Sequence, residues 1–355
     1  MTARPTGYAT WAASGATNLA QPDGAHQNVG WGVGEAPPSS YFNYLQQQYD
    51  QWIRYLDAQR GGAIFGDGSD GAVVFDGVAT GASMGLGALA TGPSGGAYRL
   101  VRDLFATTVG VATGIELQTA GFRVFATDQF TATGLARVTS NGMTGATGNG
   151  ASGGLGGLPA PAGTVGGGAT GGRGSNIGGT PATGGTATGY GGAGGGGGSE
   201  TNGGVVTAPP ANAGSPRGPI GGQFFGSIAG AGLAAPYWYQ AGGGGGGGDA
   251  GASTGVGGGG GGGGGVLAIS ARNLYCATSI NLQTRGGAGG AGSALGPNSG
   301  GGGGGGGLVL LAYGAKSAGA SFPAVECCPG GIGGAGITAT GKTGAVGTVI
   351  ELAIR

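Results

Sequence analysis

Apolar and polar positions follow three rhythms along this chain. Between Phe42 and Leu56 the large apolar residues Phe42, Leu45, Tyr49, Trp52 and Leu56 recur at spacings of 3, 4, 3 and 4. Gln46, Gln47, Asp50 and Arg54 take the opposite positions. That spacing predicts an amphipathic helix with one apolar seam. Pro37 and Pro38 bar an earlier start, Ser39 or Ser40 can cap it, and Gly61-Gly62 end it after Arg60. Little apolar sequence nearby could cover the seam, so it predicts self-association, with packing on the helix's own domain as the alternative.

From Ala63 to Thr139 the rhythm shortens. Runs such as Ala72–Phe75, Arg99–Val101, Gly114–Leu117, Phe122–Phe125 and Leu135–Val138 alternate with turns. Runs of this length predict strands of an all-β unit, stacked as rungs. After Asn141 the third rhythm begins, with glycine tracts at 194–198, 242–248, 257–265 and 300–307. The last two lead into Val266-Leu267-Ala268-Ile269 and Leu308-Val309-Leu310-Leu311. Further strand-like runs are Ser279–Leu282, Ile337–Thr340 and a closing Thr348–Ile354.

Composition changes how those tracts are read. Glycine supplies 100 of 355 residues and proline 16, a level that ordinarily signals disorder. Only 8% of residues are charged, and 14 basic residues cancel 14 acidic ones. Disordered chains stay solvated through charge, so this one needs another account of its glycine. Collagen is excluded because glycine does not recur strictly every third residue with abundant proline between. A flexible linker is the plain alternative. The tracts abut apolar strands, however, which points to polyglycine-II-type helices bonded side by side.

The same arithmetic excludes several functions. A neutral chain without a basic cluster lacks the charge for nucleic-acid binding. No apolar run reaches the ~20 residues of a membrane span, and Met1–Gly15 shows no secretory signal. Three cysteines, two of them adjacent at Cys327-Cys328, make no disulfide framework and fit a reducing cytoplasm. His26, the sole histidine, leaves little for metal or triad chemistry.

Two nucleotide-type motifs fail on context. Gly336–Thr343, GITATGKT, satisfies the P-loop expression, but only the twelve residues after Thr343 remain and they read as a strand. Gly66–Gly71, GDGSDG, precedes a strand rather than a helix and is read as a tight turn. Asp67 and Asp70 lack the remaining EF-hand ligands. Asp103, Glu116 and Asp128 are candidate carboxylates for glycan hydrolysis, though spacing alone cannot pair them. The aromatics Tyr237, Trp238 and Tyr239, with Phe224, Phe225 and Phe322, are candidate contacts for a ligand or partner. Filling a core is their alternative role.

Taken together, PPSSYFNYLQQQYDQWIRYLDAQRGG, then GDGSDGAVVFDG, LVRDLFATTV and TAGFRVFATDQFTATG, and finally the glycine tracts resemble bacteriophage tail-fibre proteins. The C-terminal half resembles the tip adhesins of T-even-type phages. The implied fold class is mainly β with a polyglycine-II-type helical bundle and one N-terminal α-helix at a trimeric coiled-coil-like seam. Residues 1–36 would be an irregular tail-docking leader, 37–62 the oligomerisation helix, 63–140 a β-rung shaft module and 141–355 the glycine-rich bundle with exposed loops. The implied protein is a homotrimeric, non-enzymatic receptor-binding fibre of the virion, assembled in the host cytoplasm. Its partners would be other tail or baseplate proteins and a host glycan or outer-membrane protein, with no cofactor, metal or nucleic acid. A purely structural tail or baseplate component and a host-glycan depolymerase are the alternatives.

Overall fold

The computed structural model describes residues 38–44, 46–49, 64–80, 83, 90–149, 152–161, 163–176, 242–250, 255–276, 278, 281–318 and 320–354. The chain divides into two units, Met1–Ala63 with Arg355, and Ile64–Ile354. In the first, residues 39–44 and 46–49 are helical (α1). Proline cannot donate a backbone bond, and the helix begins just after it: the Pro38 carbonyl accepts the N–H groups of Tyr41 at 3.0 Å and Phe42 at 3.2 Å. Phe42 and Tyr49 are exposed. Leu45, Trp52 and Leu56 lie outside the described residues.

The described residues of the second unit carry eleven strands: β1 (Ala72–Phe75), β2 (Ala90–Ser94), β3 (Ala97–Leu100), β4 (Leu104–Val111), β5 (Glu116–Gln118), β6 (Arg123–Ala132), β7 (Arg137–Thr139), β8 (Val266–Cys276), β9 (Leu282–Gln283), β10 (Leu308–Lys316) and β11 (Thr348–Ala353). A short helix, α2 (Ala324–Cys327), follows Pro323. One sheet has the order β1-β4-β6-β8-β10-β11, with every pair parallel. The other has the order β2-β3-β5-β7-β9 and is parallel except for the β2–β3 hairpin. From β3 to β10 the chain alternates strictly between the two sheets.

Side-chain alternation explains the layering. In β1, Val73 and Phe75 point inward while Ala72 and Val74 face out. Val73, Phe75, Val109, Phe130, Leu267 and Val309 from the first sheet share one core with Tyr98, Leu117, Val138 and Leu282 from the second. The first six residues of both β8 and β10 are buried on both faces, as their unbroken apolar sequences require. Val165 joins Val266, Ala268, Leu308, Leu310 and Ala312 in a second, smaller cluster.

A buried ion pair ties the entry of the first sheet to a later segment. Asp103 accepts hydrogen bonds from Arg123 N (2.8 Å), Nε (2.9 Å) and Nη2 (2.5 Å), and from Thr164 Oγ1 (2.5 Å). Two carboxylate oxygens thus meet four donors, which offsets the cost of desolvating the charges.

The glycine segments form a laterally bonded lattice. All nine N–H groups and all nine C=O groups of Gly257–Gly265 are hydrogen-bonded to other segments. Residues 257, 260 and 263 donate to Ser175, Gly172 and Ala169; residues 258, 261 and 264 to Ser299, Gly302 and Gly305; residues 259, 262 and 265 to Ala146, Met143 and Ser140. Every third residue therefore faces the same neighbour. A Cβ on Gly260 would lie 2.0 Å from the carbonyl oxygen of Gly245, a separation that no side chain tolerates. At the periphery, Gly341, Gly344 and Gly347 alternate with bulkier residues, and these glycines are the ones that donate inward.

These features correct the expected fold class and the resemblance behind it. The unit is a mixed α/β domain organised by two mainly parallel sheets that share one core, with short helices. No coiled coil and no polyglycine helix is among the elements of the described residues. The first sheet runs without a break from β1 to β11, so residues 64–140 and the glycine-rich part belong to one layered body rather than a fibrous shaft and tip. The tail-fibre reading falls with them, including attachment to a virion tail by the N-terminus and receptor binding through loops of a glycine-rich tip. A two-layer domain closed by a largely buried ion pair and non-local strand pairing is not an elongated fibrous adhesin.

Candidate functional site

Tyr237, Trp238, Tyr239, Phe224, Phe225 and His26 lie outside the described residues. Phe322 is buried, and Lys316 Nζ sits 5.6 Å from its ring centroid. The three candidate carboxylates are not brought together as a pair. Asp103 is committed to Arg123 and Thr164. Glu116 Oε1 accepts from Thr139 Oγ1 at 2.7 Å. Asp128 Oδ1 accepts from Asn273 Nδ2 at 3.3 Å.

Both glycine motifs have structural roles. The P-loop-like Gly336–Thr343 spends its backbone on the lattice: Gly341 N donates to Gly334 O, and Lys342 O accepts from Gly303 N. The chain then enters β11 rather than a helix, so no helix N-terminus faces a phosphate. In Gly66–Gly71, Asp67 Oδ1 accepts from Ser69 N at 3.0 Å. That backbone bond holds the Asp67 carboxyl below its ordinary range. Asp70 accepts two bonds from Arg102 and one from Phe105 N, pinning the turn to β4.

A further polar cluster joins β10 to β11. Tyr313 Oη donates to Glu351 Oε2 at 2.8 Å, and Lys316 Nζ donates to the same oxygen at 2.7 Å. The ammonium also lies 5.4 Å from the Tyr313 ring centroid. Tyr313 and Lys316 come from β10 and Glu351 from β11, which are paired in parallel register. No local periodicity announces that meeting. Burial pushes the Tyr313 hydroxyl up, and the bond to Glu351 raises Lys316. A lysine base needs the opposite shift.

Other titratable groups move the same way, away from neutrality. Backbone bonds from Ala79 and Val78 lower Asp76. Burial raises Tyr98, whose hydroxyl donates to Ala79 O at 2.7 Å and accepts from Gly77 N at 3.0 Å. Cys276, Cys327 and Cys328 are buried and take part in no disulfide. Desolvation pushes the thiols of Cys276 and Cys327 up to about 12 and that of Cys328 to about 11. Among the described residues no group of three or more His, Cys, Asp or Glu side chains is placed to hold a metal ion. No helix among them is long and apolar enough to cross a membrane. No family model, curated protein or solved structure matches this chain.

Proposed function

We propose that this chain is a non-catalytic structural scaffold, whose second unit serves as a rigid body. The saturation of Gly257–Gly265 carries this reading: nine residues without side chains use every backbone donor and acceptor to join six surrounding segments. Such a region has no group left to offer a substrate, and each of its members is fixed by several others. The direction of the pKa shifts supports the reading, because those of Asp67, Asp76, Tyr98, Tyr313, Lys316 and the three cysteines all run away from neutral pH. Three buried cysteines outside any disulfide fit folding in a reducing compartment.

The neutral charge and the pairing of Arg102, Arg123 and Lys316 with carboxylates argue against a nucleic-acid partner. Copies of the chain itself are the partner that the exposed rings of Phe42 and Tyr49 on α1 favour, with three copies as the number to test. Thermal-shift screening against divalent cations, nucleotides and neutral sugars is expected to leave the unfolding midpoint unmoved. A ligand that raised the midpoint and was turned over would overturn the scaffold reading. Sedimentation equilibrium of the full chain and of its F42A/Y49A variant reads the copy number.

A further inference from the structure

The first sheet ends on β11, which among the described residues is paired with β10 alone. Thr348 N donates to Gly307 O and Ile354 N to Tyr313 O, so alternate residues turn their backbone toward β10. Val349, Glu351 and Ala353 turn theirs the other way, toward the edge of the sheet. Glu351 and Ala353 are exposed and Val349 is half-buried. A row of backbone groups of this kind is a template for a further strand.

Leu104, Val124, Ile269, Leu311 and Glu351 occupy one position in β4, β6, β8, β10 and β11. The first four are apolar, at most 1% exposed, and belong to the core shared by the two sheets. The fifth is a carboxylate on the same face, and it is the sole charge in β11. The flanking columns end on apolar residues: Leu267 and Val309 lead to Val349, and Ala271 and Tyr313 to Ala353. The charge is held in place, because Tyr313 Oη and Lys316 Nζ both donate to Glu351 Oε2. It is tolerated there because β11 is the last strand, and the Glu351 and Lys316 side chains each keep 29% exposure. A strand added about 4.8 Å from β11 would cover that surface and desolvate the carboxylate at the end of an apolar row.

We propose that Glu351 guards the end of the first sheet against strand addition by a second copy of this chain. An inward-facing charge on a last strand is one of the means by which sheets avoid edge-to-edge pairing. Leucine in its place would extend the apolar column by one member. The edge would then offer both backbone groups and side chains that suit another strand.

Sedimentation velocity of the full chain reads the outcome. Every sample carries F42A/Y49A, so that contact through α1 does not contribute and the result stands apart from the scaffold reading. E351L should at least double the weight-average mass, increasingly with concentration, while its circular dichroism stays that of the parent. E351K loses the same bonds to Tyr313 and Lys316 but keeps a charge at the end of the column, and should keep the parent mass. A353P removes an edge-facing N–H and no bond to β10, so E351L/A353P should return to the parent mass. The proposal is overturned if E351L does not associate, if E351K associates as E351L does, or if E351L/A353P stays associated. Amide exchange in the parent decides the matter even where a variant fails to fold. Val349 and Ala353 should exchange fast beside slow Ile350 and Leu352, and protection of Val349 and Ala353 would mean that the edge is already paired and needs no guard.

Discussion

Replacing Gly260 by alanine adds a single methyl group, yet it should be among the most damaging changes available to this fold. The added Cβ would meet Gly245 O at 2.0 Å, Gly245 C at 2.5 Å and Gly246 O at 2.8 Å. Restoring a normal carbon–oxygen contact requires the 242–248 segment to retreat by roughly 1.5 Å. Gly245 donates to Gly261 at 2.8 Å and accepts from Gly172 at 2.7 Å, so that retreat breaks both bonds. Each broken bond that leaves its groups buried and unpaired costs about 1–3 kcal/mol. For the two bonds the sum is on the order of 2–6 kcal/mol, a large part of the roughly 5–15 kcal/mol typical of a folded domain. Gly110 in β4 is the control. Its added Cβ would find nothing closer than Val74 at 3.7 Å, and removing a glycine from a strand relieves an entropy cost of about 0.5–1 kcal/mol. Urea denaturation followed by far-ultraviolet circular dichroism should show G260A strongly destabilised and G110A unchanged or slightly stabilised. Equal midpoints for G260A and wild type, with unchanged spectra, would refute the lattice as the basis of stability.

Gly71 isolates the dihedral effect, since it has open space around it but a φ of +69°; G71A should cost about 1–2 kcal/mol by the same assay. D103A should cost about 3–5 kcal/mol by stranding the Arg123 guanidinium, and D103L/R123M should recover much of it in a double-mutant cycle. The three thiols should resist a disulfide exchange reagent at pH 8 in the native protein, and all three should react once it is denatured. Their folded pKa values of about 11 to 12 lie above the ordinary value of 9.0. They therefore contribute stability that is fully present below pH 9 and lost as pH rises toward 12. Midpoints measured from pH 7 to 11 should fall above pH 9 in the wild type, and fall less in a C276A variant.

Several elements could be read directly from the chain. Alternation in Ala72–Phe75 marks β1, and the apolar runs after Gly265 and Gly307 open β8 and β10. Ile337–Thr340 shows the limit of that reading, because the same kind of run lies in the lattice rather than in a strand. The Lys316–Tyr313–Glu351 cluster and the Asp103–Arg123–Thr164 tie join residues far apart in sequence, and no spacing rule connects them.

The sequence by itself determined that the glycine is structural, because a neutral, charge-poor chain with apolar strands at the ends of its tracts has no means of staying solvated. It could not say which of Asp103, Glu116 and Asp128 meet, because spacing alone does not pair carboxylates. Tertiary structure alone decided the fold class. β6 pairs with β8 across more than a hundred residues, Arg123 opposite Ala268, and that pairing makes one sheet of what the sequence divides into shaft and tip. Parallel pairing is non-local by nature, so its partners leave no periodic mark. Glycine compounds the difficulty. A residue without a side chain carries no pattern of its own, and which neighbours Gly257–Gly265 bonds is fixed only when six other segments close around it.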